Sequence, residues 1–490
     1  MNRLIRSITL LLLVLLTIAP LTAQEDEGGV TLEPYTDDTF NLEGFIPSGW
    51  ENAGPGTYVR GTPPTDFAVY LAQAITGTAA DFQQLLTPQL GLTSFPEPTD
   101  TLETDAFAWN IYDIEVEVPG LGSINVVAAL AEADDQAYLV LLQAPPADFE
   151  TLREQVFVPA LEALRPGGAA TVPDVDQSTF TETEVEFGLE DWRLPGTLTT
   201  PVGDGPFPAV VLVHGSGPND RDETLGPNKM FRDLAWGLAE QGIAVLRYDK
   251  RTLVYRDAVT AENMDVELTL DFEVTEDALE AVNFLREQDN IGDIFVIGHS
   301  LGGMLIPRIA EQAGEDQLSG VVILAGNAQY FGELLLEQAT YLNEFWSNEE
   351  DSPNRAAALQ QLAQTEALAE DLLAAREGGE LSDIFADETQ ATYWGSYVDY
   401  DQTAVAQGLE LPMLILQGER DYQVTMEEYT LWQAALEGQD NVTFMSYPDL
   451  NHYFMSQGDL DRLAVPTDYN ERGFMAQEVI DDIAEWIMTQ

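Results

Sequence analysis

The sequence predicts an α/β fold: a doubly wound, mostly parallel sheet with a helical cap insertion, preceded by a smaller α+β domain. Continuous apolar runs at 209–213, 321–324 and 413–416 are typical of parallel strands that are covered on both faces. From about residue 180 such runs alternate with helical stretches, which favours a doubly wound sheet. A segment rich in proline, glycine and alanine begins the stretch 166–179 and predicts a linker between the two regions.

The first residues have the pattern of a secretory signal peptide. Arg3 and Arg6 precede an apolar run at 8–19. The segment Leu-Thr-Ala at 21–23, which ends in small residues suited to cleavage, comes before an acidic stretch. The apolar run is short for a membrane span, which needs about 20 residues. We therefore predict a signal peptide at 1–23 and a secreted or periplasmic protein that does not stay inserted in the membrane after cleavage. An uncleaved N-terminal anchor is the alternative.

Residues 40–165 are predicted to form the α+β domain, after a flexible lead at 24–39. The lead is polar and acidic without periodicity, whereas the domain contains alternating strands at 106–118 and 124–133 and a helix at about 148–164. Through its Phe-Ile-Pro-Ser-Gly-Trp opening and this closing helix, the segment resembles PsbP-like domains. We predict a structural appendage, with a binding or positioning role as the alternative.

The C-terminal region, 180–490, is predicted to form the doubly wound sheet. Its first two strands favour an antiparallel hairpin through which the chain enters the sheet. Strands are expected at 183–189, 193–200, 208–214, 243–249, 293–298, 320–326, 412–418 and 442–447. Helices are expected at 228–241, 272–288, 301–313, 426–437 and 470–489.

The connection between the sixth and seventh predicted strands is longer than a crossover requires. Residues 327–411 fill it, whereas a simple strand–helix–strand unit needs only about 30 residues in all. Apolar residues within 334–342 have helical spacing. We predict a helical cap at about 327–405 over the carboxyl edge of the sheet, where α/β proteins bind ligands. A helical insertion that only adds stability is the alternative.

Composition limits the chemistry. The chain has no cysteine, which excludes disulfides, a cysteine nucleophile and zinc-thiolate sites. It contains neither a His-Glu-x-x-His pattern nor a Gly-x-x-x-x-Gly-Lys-Ser/Thr loop, so we predict no metal and no cofactor. The formal net charge of −65 repels nucleic acid, and we expect no nucleic-acid partner. The oligomeric state stays open.

Ser300 lies in a tight turn between a predicted strand and a predicted helix. The turn reads Gly298-His299-Ser300-Leu301-Gly302. Its backbone is strained and the helix passes close to its own strand, so a side chain at Gly298 or Gly302 would clash. The serine hydroxyl is thereby held clear of the sheet, which makes Ser300 a candidate nucleophile. Alone the pattern is a weak signal, because turns rich in glycine and serine are common.

A serine nucleophile needs a general base, and the three histidines are the candidates. His299 directly precedes the serine, so its side chain is expected on the other side of the turn. His214 belongs to the loop after the third strand, where glycines let backbone N–H groups face a ligand. His452 follows the last predicted strand and is the predicted base.

An acid must fix the tautomer of the base, and Asp421 is the predicted one. It follows the seventh strand, so the chain order is Ser300, Asp421, His452. Glu419 is the nearest rival. Asp449 is expected to be too close to His452 in sequence to reach the ring from the correct side.

Residues 180–490 contain several motifs beyond the serine turn. They are Gly-Thr-Leu-Thr-Thr-Pro at 196–201, HGSGPNDRDE at 214–223, FRDLAWGLAEQGIAVLRYDKRT at 231–252, GHSLGG at 298–303 and LPMLILQGERDYQVT at 411–425. Together these motifs resemble the α/β-hydrolase family, and within it the secreted or periplasmic EstD-like carboxylesterases. More distantly they resemble dienelactone hydrolases and the acyl-CoA thioesterase and acyltransferase branch.

The resemblance implies a role for each site residue. Ser300 would be the nucleophile, His452 the base and then the acid, and Asp421 the orienting carboxylate. The backbone N–H groups of Ser216 and Leu301 would form the oxyanion hole. Supporting positions, which act through backbone shape and the loop itself, are His214, Gly215, Gly217, Gly298 and Gly302.

Four basic residues cluster in a chain that has little basic charge: Arg221, Arg247, Lys250 and Arg251. Two interpretations are possible. The cluster could attract an anionic substrate, or it could pair with neighbouring acids and brace the loops. The second interpretation is favoured, with Asp220, Asp222, Glu223 and Asp249 as the expected partners.

The predicted function is a serine hydrolase that cleaves carboxylic esters of small or medium acyl chains through an acyl-serine. Three alternatives stay open: a serine peptidase of the prolyl-oligopeptidase type, an acyl thioesterase or acyltransferase, and a catalytically inactive binding module. The peptidase is disfavoured because the N-terminal region is too short for a propeller and contains no repeat. Export disfavours a CoA thioesterase, since CoA is intracellular.

Overall fold

The computed structural model describes residues 30–37, 40, 42–54, 56–61, 67–104, 106–118, 122–133, 136–166, 175–259, 267–348, 355–381, 385, 388–457, 462–470 and 472–490. The chain divides into two compact units, residues 1–170 with 470–472 and residues 171–469 with 473–490. The predicted signal peptide at 1–23 lies outside the described residues, as do residues 167–174 of the predicted linker. No helix in the described part of the chain is long and apolar enough to cross a membrane.

The first unit contains two antiparallel sheets. One has the strand order β3-β4-β5-β9-β8-β7-β6 and the other the order β1-β2-β10. The strands are β1 Leu32–Asp37, β2 Leu42–Pro47, β3 Glu51–Gly54, β4 Thr57–Arg60, β5 Ala68–Thr76, β6 Asp100–Glu103, β7 Ala108–Val118, β8 Gly122–Ala133, β9 Gln136–Ala144 and β10 Arg165–Pro166. The helices are α1 Ala79–Gln89, α2 Phe149–Leu152 and α3 Val158–Ala163, with a π-helical turn at Arg153–Phe157 between the last two.

The larger of these sheets has a helix on each face. Phe82 and Leu86 of α1 pack against one face, and Leu152 and Phe157 pack in the other layer with the buried Trp109. Central strands with both faces covered bury nearly all their side chains, as β9 does. The predicted separate α+β domain is confirmed as an architecture.

The prediction of a flexible lead at 24–39 was wrong for residues 32–37. They form β1, which pairs with β2 from Leu32↔Pro47 to Asp37↔Leu42. The burial of β1 is low because it is an edge strand. The strand β1 therefore forms through backbone pairing with β2. Because such pairing does not require buried side chains, the sequence of β1 shows no hydrophobic periodicity.

The second unit is built on an 8-stranded sheet with the order β11-β12-β16-β13-β17-β18-β19-β20. β11 pairs antiparallel with β12, β12 pairs antiparallel with β16, and the other neighbours are parallel. The strands of this unit, including the small hairpin β14–β15, are β11 Phe180–Leu189, β12 Trp192–Pro201, β13 Phe207–Val213, β14 Thr224–Leu225, β15 Asn228–Lys229, β16 Ala244–Tyr248, β17 Ile291–His299, β18 Gly320–Leu324, β19 Met413–Gly418 and β20 Val442–Tyr447. The predicted doubly wound, mostly parallel sheet with an antiparallel entry is confirmed.

Helices cover both faces of this sheet. The helices described in this unit are α4 Met230–Glu240, α5 Arg251–Val254, α6 Arg256–Val259, α7 Glu276–Arg286, α8 Leu301–Ala313, α9 Phe331–Asn348, α10 Arg355–Arg376, α11 Glu388–Val398, α12 Gln402–Ala406, α13 Met426–Ala435 and α14 Gln477–Met488. A π-helical turn at Asp271–Thr275 precedes α7. Along β13, Val211 packs in one layer with Leu305 of α8, whereas Val210 packs in the other with Leu234 of α4. This two-sided burial explains the continuous apolar run of the strand.

The predicted helical insertion lies between β18 and β19 and consists of α9 to α12. A small apolar cluster in it joins Leu372 of α10 to Tyr330 and Phe385. The last helix begins at Gln477 rather than at the predicted 470, because an isolated bridge pairs the backbone of Met475 with that of Met455 before the helix starts.

Candidate active site

Ser300 occupies a strained turn between β17 and α8. Its φ and ψ are 54° and −116°, a backbone conformation that costs energy in a non-glycine residue. A Cβ atom on Gly298 would lie 2.4 Å from the Gly302 carbonyl oxygen, and one on Gly302 would lie 2.3 Å from that of Val213. Only glycine fits at these two positions, and the crossing that they permit presents the side chain of Ser300 at the end of the strand.

His452 and Asp421 come together at the ends of neighbouring strands. Nδ1 of His452 lies 2.6 Å from Oδ2 of Asp421, and both side chains are buried. The Gln417 amide donates to Oδ2 at 3.2 Å, while the backbone N–H groups of Gln423 and Val424 donate to Oδ1 at 2.7 and 3.0 Å. The carboxylate is thus fixed by several donors and holds the imidazole in turn.

The two rival acids lie elsewhere. Glu419 accepts a hydrogen bond from the hydroxyl of Ser446 at 2.9 Å. The side chain of Asp449 is exposed. Asp421 is therefore the carboxylate that the fold brings to the imidazole of His452.

A close backbone crossing explains why the two loops meet. A Cβ atom on Gly418, at the end of β19, would lie 2.5 Å from the carbonyl oxygen of Leu450 and 2.6 Å from that of Asn451. The side chain of Asn451 accepts the N–H groups of Tyr453 and Met455 at 2.9 and 3.1 Å, which curls the chain around His452.

His299 is buried behind the serine turn, where it joins three segments. Its Nε2 atom lies 3.0 Å from the backbone carbonyl oxygen of His452, and its Nδ1 atom lies 3.1 Å from Oε1 of Glu223. Burial alone would lower the pKa of His299, but the Glu223 carboxylate raises it above its ordinary value. Burial alone would raise the pKa of Glu223, but His299 holds it below its ordinary value. This buried ion pair was missed by the sequence analysis, which treated Glu223 only as a partner for basic residues.

The loop after β13 lies against the serine turn. A Cβ atom on Gly215 would be 3.1 Å from the Cβ atom of Ser300. The Gly215 N–H donates to Oε1 of Glu223 at 2.6 Å, and the Gly215 carbonyl oxygen accepts from Lys250 Nζ at 3.0 Å and from Asn219 Nδ2 at 3.2 Å. Gly217 has a φ of 97°, a conformation that suits glycine. Glycine at 217 therefore suits the backbone conformation, and glycine at 215 leaves room for the close approach of Ser300.

His214 packs in the core behind this loop. Its ring lies 5.2 Å from that of Phe231 and 5.1 Å from that of Tyr248. Burial lowers the pKa of His214 to about 4, so the ring is neutral at neutral pH. It supports the loop as a neutral aromatic ring packed against Phe231 and Tyr248.

The four clustered basic residues are all paired, which supports the bracing interpretation. Their partners differ in part from the expected acids, because strands and helices distant in sequence supply them. The pairs are Arg221 with Asp249 and Glu184, Arg247 with Asp222 and Glu182, Lys250 with Glu273, and Arg251 with Asp277 and Glu276.

Esterases are among the solved structures that this chain matches. Est1E from Butyrivibrio proteoclasticus is 15% identical with a TM-score of 0.39, and the match covers 63% of this chain and 99% of that one. A hyperthermophilic esterase from the archaeon Pyrobaculum calidifontis is 15% identical with a TM-score of 0.39, covering 63% and 85%.

Sequence comparison gives a more specific match than structure comparison does. Esterase EstD of Thermotoga maritima is 40% identical over 320 residues, which cover 65% of this chain and 70% of that protein. The model of the alpha/beta hydrolase family matches residues 210–464, a range that spans more than half of the chain. The resemblance that the motifs indicated is thereby confirmed, and this protein belongs to the alpha/beta hydrolase family.

Proposed function

We propose that this protein is a serine carboxylesterase in which Ser300 is the nucleophile, His452 the general base and Asp421 the orienting acid. The observation that carries the proposal is the 2.6 Å contact between buried Asp421 and His452, in loops beside the sharp turn that presents Ser300. The 40% identity to an esterase, EstD, supports the reaction class.

Asp421 sets the tautomer of the base. Its carboxylate accepts the Nδ1–H of His452, so that the lone pair of Nε2 is available for the proton of the Ser300 hydroxyl. The donors from Gln417, Gln423 and Val424 hold the carboxylate in a fixed orientation.

The reaction proceeds in two half-reactions. Oγ of Ser300 attacks the ester carbonyl carbon while His452 takes the serine proton, and a tetrahedral oxyanion forms. The intermediate collapses to an acyl-serine, and the alcohol leaves with the proton from His452. Water then attacks the acyl-serine, gives its proton to His452, and releases the carboxylic acid and free Ser300.

Two backbone N–H groups are proposed to bind the oxyanion. Leu301 is the first residue of α8, where a helix leaves N–H groups without partners and carries partial positive charge. Ser216 follows Gly215 in the loop that lies against Ser300. The donors come from two different segments, as an oxyanion hole of this family requires.

The proposed substrate is an ester with a small or medium acyl chain. Aromatic side chains of the helical insertion form an apolar cluster, in which the ring of Phe331 lies 4.6 Å from that of Tyr397 and the rings of Trp394 and Tyr397 are 5.4 Å apart. We propose that this cluster faces the acyl group of the substrate, because an apolar group packs against aromatic rings better than a charged one does. The signal pattern at 1–23 supports action outside the cytoplasm.

The test compares esters with amides. Purified protein is assayed against p-nitrophenyl esters of graded chain length and against a small peptide anilide, with Ser300→Ala as the matched control. We expect ester turnover that the substitution abolishes, with a maximum at short or medium chains. Anilide cleavage with little ester turnover would assign a peptidase instead. A folded wild type as inert as Ser300→Ala would assign a binding module.

A further inference from the structure

Lys250 is a buried lysine beside the proposed active site. It follows β16, and its side chain is 2% exposed. Its Nζ atom donates to the Gly215 carbonyl oxygen at 3.0 Å and lies 2.7 Å from Oε1 of Glu273. A buried ammonium group is costly, and a buried ion pair is often no more stable than an apolar pair of similar volume. Stability alone therefore gives little reason for a lysine here.

The carbonyl that Lys250 contacts belongs to the same peptide unit as the N–H of Ser216. In a trans peptide the C=O and N–H bonds point in opposite directions. A donor that fixes the Gly215 carbonyl oxygen therefore also fixes the direction of the Ser216 N–H. Because hydrogen bonds polarise one another through an amide, a cationic donor on the oxygen also makes that N–H a stronger donor.

We propose that Lys250 is a positioning residue for the oxyanion hole, which orients and polarises the Gly215–Ser216 peptide so that the Ser216 N–H binds the developing oxyanion. The inference rests on the proposed function and identifies a residue on which its rate depends. Lys250 touches neither the substrate nor the reacting atoms in this scheme, and it acts only through the peptide.

The surrounding contacts hold the same loop from several sides. Asn219 Nδ2 donates to the Gly215 carbonyl oxygen at 3.2 Å, and the preceding peptide donates its Gly215 N–H to Glu223 at 2.6 Å. Donors that are fixed before the reaction need no reorganisation when charge develops, which is the main source of their effect on rate.

The charge of Lys250 is balanced by Glu273, which the helical insertion also contacts. Oε1 of Glu273 faces the ammonium group, while Oε2 accepts the hydroxyl of Tyr393 from α11 at 2.7 Å. The second carboxylate oxygen is thus satisfied by the insertion. Polar contacts run without interruption from α11 through Glu273 and Lys250 to the loop that carries Ser216.

The test removes the ammonium group without leaving a buried charge. The double variant Lys250→Met/Glu273→Gln is compared with wild type on an ester and on its thiono analogue, in which C=S replaces C=O. Because sulfur is a weak hydrogen-bond acceptor, the thiono ester depends less on the oxyanion hole. We expect kcat on the ester to fall roughly 10- to 100-fold with KM little changed, and the ester-to-thiono-ester ratio of kcat/KM to fall by about fivefold or more.

Arg251 and Asp277 provide a matched control. They form an ion pair that is equally buried, one residue along the chain, and Arg251 lies over the ring of Phe272 instead of contacting the loop. Arg251→Met/Asp277→Asn is expected to lower stability but to keep the wild-type ester-to-thiono-ester ratio. The comparison separates the effect of losing a buried ion pair from the effect of losing the contact to the Gly215 carbonyl oxygen.

Other outcomes are equally decisive. A wild-type ratio in Lys250→Met/Glu273→Gln, or equal losses on both substrates, overturns the inference. If that variant does not fold, the single variant Lys250→Met takes its place, in which Glu273 keeps its hydrogen bond from Tyr393, and an unchanged ratio there overturns the inference. Ester turnover that survives Ser300→Ala overturns the proposed function itself, whereas turnover that needs Ser300 but not Lys250 overturns only the role of Lys250.

Discussion

The Nε2 atom of His299 lies 3.0 Å from the backbone carbonyl oxygen of His452. The residue directly before Ser300 therefore contacts the main chain of the proposed base. On its other side, the His299 ring meets the Glu223 carboxylate, which also accepts the Gly215 N–H. One buried ion pair thus connects the serine turn, the histidine loop and the loop that carries Ser216.

Glu223→Gln is expected to destabilise the protein by about 3–5 kcal/mol near pH 5.5, because it leaves His299 without its buried partner. The pKa of Glu223 is lowered from 4.5 on folding, so its contribution is complete above pH 4.5 and is lost as the pH falls through its folded pKa. The pKa of His299 is raised from 6.5, so its contribution is complete below pH 6.5 and is lost as the pH rises through its folded pKa. Urea unfolding of wild type and variant across this range should therefore show the largest difference between pH 4.5 and 6.5. A difference that does not vary with pH would contradict the charged pair.

Asp421→Asn is expected to lower kcat by roughly 10³- to 10⁴-fold with little change in KM, because an amide no longer fixes the correct tautomer of His452. Steady-state kinetics on the preferred ester measures the effect. Glu419→Gln is the control, since Glu419 contacts Ser446 and not the imidazole, and it should stay within a few-fold of wild type. The opposite ranking of the two variants would move the acid to Glu419.

Gly298→Ala is expected to lower the free energy of unfolding by about 1–3 kcal/mol or more. Its Cβ would lie 2.4 Å from the Gly302 carbonyl oxygen, so the backbone would have to move. Activity should fall with it, since the same movement displaces Ser300. Gly292→Ala in the same strand is the comparison: its Cβ would find its nearest neighbour at 3.5 Å. Thermal melting and ester turnover of both variants test this, and similar losses in the two would rule out the crossing as the cause.

The burial of His214 predicts that the folded protein is less stable in acid. Burial lowers its pKa from 6.5 to about 4, so between these values the unfolded chain binds a proton that the folded chain does not. Stability is therefore lost as the pH falls below 6.5, by about 3 kcal/mol in total from this residue at pH 4. His214→Phe, which keeps an aromatic ring beside Phe231 and Tyr248, should show a smaller acid-induced drop in urea unfolding. An identical drop in both proteins would show that His214 does not titrate in this way.

Much of the fold could be predicted because its signals are local. The strand at 413–418 was expected at 412–418, since a buried parallel strand must be apolar on both faces, and α8 was expected at its observed bounds of 301–313. The serine turn is also local, because glycine is the residue that fits at 298 and 302. Chain order then identified Asp421 and His452 as candidates, and the fold brings these two into contact.

Other features depend on contacts between distant parts of the chain. The edge strand β1 exists through pairing with β2, and its polar sequence shows no strand periodicity. The sequence does not distinguish Glu223 from the other acidic residues. Its contact with His299, which is 76 residues away in the sequence, forms only in the folded chain.

The layers of the second unit and the three residues proposed for acyl transfer can be derived from the sequence, because apolar periodicity and tight turns depend on neighbouring residues. How the loops of the proposed site are held depends on contacts that form only when the chain folds. The partners of Gly215 are Glu223 and Lys250, which follow different elements of the fold. Buried charges are stable only when an opposite charge or a hydrogen-bonding group meets them in space, and that proximity has no signature along the chain.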